Sequence, residues 1–129
     1  DIDIYTSTPG TDTDIIGTDF DNFGTTSQTG SPITYANWSA TAGTYNDFTL
    51  NATGIGNISK TGVSKFGLRH AKYDVANTAP TWGSSDSTYI GMYFAEQGGA
   101  GTTEDPKLVV VHAAAAGALN LINLMGVGN

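Results

Sequence analysis

The chain has 129 residues, enough for one domain with one core and too few for a comfortable second. Charged residues make up 13% against about 25% in an ordinary soluble domain, and the net charge is −7. The only basic side chains are Lys60, Lys65, Arg69, Lys72 and Lys107, so no basic stripe can displace counterions from a nucleic acid or hold an anionic membrane surface. With no cysteine, disulfide staples and thiolate metal sites are excluded as well.

Small polar residues replace the missing charge, with 19 Thr and 17 Gly. Threonine is β-branched and favours strands while glycine serves turns, so the composition leans to β. Asp1-Ile-Asp-Ile-Tyr5 alternates polar and apolar and reads as a half-buried strand, broken by Pro9-Gly10. Residues 11–31 are acidic and rich in Thr and Gly, and read as loop with one short strand around Ile15 and Ile16. Residues 33–38 and 44–50 are expected as strands. In residues 52–60, Ile55 and Ile58 lie three apart while Gly54 and Gly56 weaken a helix, which predicts one short helical turn. Residues 64–70 alternate and would place Phe66 and Leu68 inward, and residues 77–87, with Pro80, Trp82 and Gly83, read as loop. Residues 88–95 form the strongest predicted strand, with Ile90, Met92 and Phe94 on one face and Tyr89 and Tyr93 on the other. Residues 107–112 carry the run Leu108-Val-Val-Val111, expected as a central strand buried on both faces. Short strands between turn signals, with no long amphipathic helix and no internal repeat, argue for an all-β fold: an antiparallel, jelly-roll-like β-sandwich over residues 1–112.

Residues 113–129 change character, because they carry no charge at all. Read as a strand, Leu119, Leu121, Met125 and Val127 share one face and Ile122 and Leu124 the other; read as a helix, Ala118, Leu121, Ile122 and Met125 form a stripe. Either way the segment is apolar on more than one side and has to be covered. It is too short and too interrupted by Gly and Asn for a membrane span of about 20 residues. Three coverings stay open: its own domain, the open sheet edge of a neighbouring copy, or a further domain that it begins. Asp1 opens the chain without Met or an apolar leader and reads as a processed or truncated start; with the low-charge surface, this places the expected site of action outside the cell.

Five stretches follow one another in order: Asn46-Asp-Phe-Thr-Leu-Asn-Ala-Thr-Gly54, Ile58-Ser-Lys-Thr-Gly62, Lys65-Phe-Gly-Leu-Arg69, Tyr93-Phe-Ala-Glu-Gln97 and Asp105-Pro-Lys-Leu-Val-Val110. In that order, roughly half of the chain resembles the C-terminal half of the DNRLRE-type, carbohydrate-binding-module-like secreted β-sandwich family of surface and phage-associated proteins. The resemblance implies a β-sandwich fold and, as a family-level function, carbohydrate binding. Members of that family carry further strands upstream, whereas this chain starts late, at Asp1. A sandwich short of strands has an open groove and unpaired edges. An open groove beside an uncharged tail leads to an expectation of copies chained by donor-strand complementation, the sandwich of one being completed by a strand from the next. The tail residues Leu119, Leu121, Ile122, Leu124, Met125 and Val127 are the first donor candidate, and Ile2 and Ile4 of the opening strand the second. A truncated sandwich would give the same pattern.

No catalytic constellation is expected. There is no Gly-x-Ser-x-Gly elbow and no Cys nucleophile; the histidines are His70 and His112, and the two glutamates, Glu96 and Glu104, share only proximity in sequence. Asp12, Asp14, Asp19 and Asp21 crowd a Gly-containing loop that offers hard oxygen ligands for Ca2+. However, Ile16 and Phe23 stand where an EF-hand needs oxygen, and a solvated acidic loop is the favoured reading, with no cofactor. Sugars would stack on exposed aromatics, for which Trp38 and Trp82 are the candidates, against the usual fate of a Trp as core or rim. Asn37-Trp-Ser39, Asn51-Ala-Thr53 and Asn57-Ile-Ser59 are sequons, so Asn37, Asn51 and Asn57 are candidate glycan carriers in a source that glycosylates. The leading expectation is a structural subunit of an extracellular filament or of a virion or cell-surface assembly, with other copies of itself as partner. The alternative is a carbohydrate-binding module of a larger secreted protein.

Overall fold

The computed structural model describes residues 1–85, 89–93 and 105–111. The chain divides into two units, Asp1–Gly91 and Met92–Asn129.

In the first unit, strand β1 (Ile2–Thr6) pairs antiparallel with strand β2 (Phe66–His70). The register sets Ile2 opposite His70, Ile4 opposite Leu68 and Thr6 opposite Phe66. Flanking bonds from Ser7 N–H to Lys65 O (3.1 Å) and from Ala71 N–H to Asp1 O (2.9 Å) fix which pairs share hydrogen bonds: the odd residues of both strands. The even residues of β1 turn their main chain the other way. Ile2 exchanges bonds with Ile33 at 2.8 Å each, Ile4 O accepts from Gln28 N–H at 2.9 Å, and Thr6 O accepts from Gly24 N–H at 2.9 Å. Residues 28–30 are bonded in turn to residues 49–51, through Gly30 N–H to Thr49 O (3.1 Å) and Asn51 N–H to Gln28 O (3.0 Å). The hydrogen-bonded order across the unit is therefore β2, β1, residues 22–33, residues 49–51.

The expected helical turn is α1 (Ala52–Gly56). Asn51 caps it, its side-chain oxygen accepting from Gly54 N–H at 2.9 Å. Gly54 is buried against the Gln28 carbonyl, closer than a Cβ would permit, so this helix carries a glycine for contact rather than for propensity. A π-helical turn, Ala71–Val75, follows β2 and leads to Asn77, whose φ of 48° is a left-handed position that Asn tolerates.

Several expectations are corrected. Residues 33–38 hold a 3₁₀ turn, Tyr35–Asn37, instead of a strand, with Ile33 alone in a bridge to Ile2. In residues 44–50 only Leu50 forms a bridge, to Thr29. The Asn46 side chain bonds both main-chain groups of Ser39, at 2.8 and 3.0 Å, and so takes backbone partners a ladder would use. Around Ile15 and Ile16 there is no strand, and both side chains are exposed. Leu68 does not point inward: it is 37% exposed, while Asp3 and Tyr5, on the opposite face of the sheet, are 1% and 3% exposed. The reason is Gly67, which lies on that inner face directly under the Phe23 ring and leaves no room for a larger side chain.

Leu108, Val109, Val110 and Val111 of the second unit are exposed and adopt no strand, and neither do residues 89–93, of which 89–91 belong to the first unit. A β-branched run becomes a strand only where a neighbour supplies the other half of its ladder, and these residues have none among those described.

The core of the described residues is small and polar. Tyr5 is its one buried hydrophobic side chain; Asp3, Asp19, Gln28 and Thr29 are buried with it. Each finds partners, as buried polar groups must. The Thr29 hydroxyl donates to the Asp3 carboxylate, Gln28 Nε2 donates to Thr26 O at 2.7 Å, and Gln28 Oε1 accepts from Asn57 Nδ2 at 2.6 Å.

Candidate functional site

The residues that matter for association are those of β1 and β2. Both edges of β1 are engaged within the chain, so the Ile2 and Ile4 main chain already has its partners; even the Ile4 N–H is held, by the Asp3 carboxylate at 2.8 Å. β2 differs. Its odd residues serve β1, and no main-chain hydrogen bond from Phe66, Leu68 or His70 runs to any described residue on its other side. Among the described residues β2 is an edge strand with N–H and C=O groups directed outward.

A cavity of about 380 Å³ borders this strand, lined by Phe20, Asp21, Phe23, Leu68, Arg69 and Asp74. Phe20 is 78% exposed. Arg69 organises the wall. Its Nε and Nη2 donate to the two Asp74 carboxylate oxygens at 2.8 and 2.7 Å, and its Nη1 donates to Gly24 O at 2.9 Å. The guanidinium also lies 5.8 Å from the Tyr5 ring centre and 6.0 Å from that of Phe23. The hydrogen bonds from Arg69 hold the Asp74 carboxyl below the usual carboxylate range. The one basic group of β2 is thus neutralised in place, and the wall offers ring faces and a paired charge.

At the end of β2, His70 stacks on Tyr73, ring centres 4.5 Å apart, and its Nδ1 accepts from Tyr73 N–H at 3.1 Å. Burial pushes the imidazole pKa down.

The other sequence candidates are scattered. Asp19 is buried with its carboxylate fully engaged: Oδ1 accepts from Gly10 N–H at 3.0 Å and Oδ2 from Ile16 N–H at 2.9 Å. The Ile16 and Gly10 bonds hold its carboxyl below the ordinary value. Asp12 pairs with Lys65, while Asp14 and Asp21 are exposed. Among the described residues no three acidic or histidine side chains converge as a cation site would require. Trp38 is half-buried against Phe48, ring centres 6.5 Å apart, whereas Trp82 is 53% exposed.

Of the sequons, Asn51 has its side-chain nitrogen donated to Ser27 O (3.2 Å) and Thr29 O (2.7 Å), and Asn57 is tied to Gln28. Asn37 is exposed at the end of its 3₁₀ turn. The tail residues Leu119, Leu121, Ile122, Leu124, Met125 and Val127, with His112, Glu96 and Glu104, lie outside the described residues.

Phe20, Phe23 and Arg69 are not among the site candidates that the sequence offers. The available signal was Gly67 inside an alternating strand, a mark of close approach by another group.

No protein family, no curated protein and no solved structure matches the chain.

Proposed function

We propose that this chain is a structural subunit of an extracellular filament or of a virion or cell-surface assembly, self-associating through β-strand donation. One observation carries the reading. Among the described residues a single hydrophobic side chain, Tyr5, is buried, while eighteen large apolar or aromatic side chains are exposed. Large apolar side chains left in water form the kind of surface that a partner covers. Association with further copies supplies the cover at about 25 cal/mol per Å² of apolar area removed from water. The uncharged segment 113–129 is the donor in this reading, because it approaches a chain of net charge −7 without repulsion. Catalysis and a bound metal play no part in it. The test is the mass of the purified chain by light scattering, with electron microscopy of the same sample. Long regular polymers that vanish when residues 113–129 are deleted support the reading; a stable monomer, or polymers that survive the deletion, defeat it.

A second reading, a carbohydrate-binding module of a larger secreted protein, is favoured by the exposed Trp82. It expects Trp82→Ala to abolish retention on a polysaccharide column without unfolding the chain, and absence of retention on every polysaccharide tried removes it.

A further inference from the structure

We propose that the acceptor for the donated strand is the outer edge of β2, Phe66–His70, and that its occupant is the segment 119–127 of a second copy. The inference rests on the self-association reading and adds its site. Three observations lead to it.

First, the hydrogen-bonded order leaves β2 at one end, with the main chains of Phe66, Leu68 and His70 directed away from β1 and bonded to no described residue there. Natural edges are blunted by lysine, proline or a bulge. This one carries none of them: Phe-Gly-Leu-Arg-His pairs with β1 without a break in register, and its one charge is held by Asp74 at 2.7 Å. β1, the other donor candidate, has no free edge to offer.

Second, strand addition takes affinity from the main chain and specificity from pockets that receive alternate side chains. The cavity of about 380 Å³ lined by Phe20, Asp21, Phe23, Leu68, Arg69 and Asp74, with Asp74 paired to Arg69, is such a pocket beside the edge.

Third, charge and length choose the occupant. Two bodies of net charge −7 repel at close range, so an uncharged segment is the part of a second copy best able to reach this edge. The five residues of β2 span about 17 Å at roughly 3.3 Å per residue, and the nine residues 119–127 cover that length. In the resulting ladder Leu68 sits in a hydrogen-bonded pair, with its partner's Cα about 5.5 Å away, within disulfide reach.

The chain has no cysteine, so introduced ones report without background. Copies carrying Leu68→Cys are mixed with copies carrying one of Leu119→Cys, Leu121→Cys, Ile122→Cys, Leu124→Cys, Met125→Cys or Val127→Cys, then oxidised under assembly conditions. The expected result is a covalent heterodimer for one alternating set of tail positions and none for the other. Links of Leu68→Cys copies only to one another would mean that two β2 edges pair, and would overturn the proposal. So would polymers in which no tail position links to residue 68. A second variant, Leu68→Lys, leaves every β1 bond in place. It is expected to keep the far-ultraviolet circular dichroism of the unsubstituted chain while losing assembly; unchanged assembly refutes the β2 acceptor but leaves self-association standing. Failure of the unsubstituted chain to assemble at all removes both.

Discussion

Asn51 donates its side-chain amide to the Thr29 carbonyl oxygen at 2.7 Å while its side-chain oxygen caps α1 through Gly54 N–H at 2.9 Å. One residue thus ties the helical turn to the segment bonded against β1. Asn51→Ala is expected to destabilise the first unit by about 2 kcal/mol, the sum of a lost cap and lost hydrogen bonds. Asn51→Asp keeps the cap acceptor but sets a carboxylate oxygen against the Ser27 and Thr29 carbonyl oxygens, so it should destabilise the unit as well. Urea denaturation followed by tyrosine and tryptophan fluorescence measures both, and equal stability of all three proteins would refute the tie.

The same bonds bear on glycan attachment. When the chain is secreted from a host that glycosylates, the soluble folded fraction is expected to carry glycan on Asn37 and none on Asn51, whose nitrogen serves Ser27 and Thr29. Peptide mass spectrometry after enzymatic glycan release reads the occupancy, and a fully occupied Asn51 in folded protein contradicts this.

Gly67 lies under the Phe23 ring with no space for a Cβ. Gly67→Ala is expected to cost about 1–3 kcal/mol, the usual range for forcing an extra carbon into filled space. Phe23→Leu in the same chain should recover part of the loss. A Gly67→Ala protein as stable as its parent would show that the ring moves aside freely.

Asp19 and Asp74 both have depressed carboxyl pKa values, Asp19 through the Ile16 and Gly10 N–H groups and Asp74 through Arg69. A carboxyl that is more acidic when folded contributes stability above its unfolded pKa of about 4, and that contribution is lost as pH falls through the lower folded value. Stability should therefore hold from neutral pH to about 4 and decline below it, and Asp19→Asn should flatten the decline. Thermal melts between pH 2 and 7 decide the matter; a parent curve as flat as the variant's contradicts it.

Self-association of copies with net charge −7 is opposed by long-range repulsion. Raising ionic strength from about 0.01 M to 0.15 M shortens the screening length from about 30 Å to about 8 Å, so assembly should accelerate over that range. Light scattering against salt tests this, and assembly that slows with added salt would mean ion pairs hold the copies together.

The alternation of Asp1 to Tyr5 and of residues 64–70 foretold both strands, and the Gly-weakened spacing of Ile55 and Ile58 foretold α1. Local period and turn chemistry were enough for these. The facing of β2 was not legible, because Leu68 looks like core by hydropathy, and it is the ring of Phe23 across Gly67 that takes the inner face. Residues 44–50 failed for a related reason: Asn46 reaches back to Ser39 across seven positions, a bond that no periodicity records.

What the sequence determined by itself is the scarcity of basic residues and the absence of thiols, the lean towards β, the three sequons and an uncharged stretch at residues 113–129. These follow from composition and short-range pattern, which need no neighbour. What only the tertiary structure decided is which main-chain groups are already paired. Among the described residues β1 is closed on both sides and β2 on one, because residues 22–33 return to lie against β1. A hydrogen bond between residues tens of positions apart depends on the path of the whole chain, and nothing in either segment's own residues announces it.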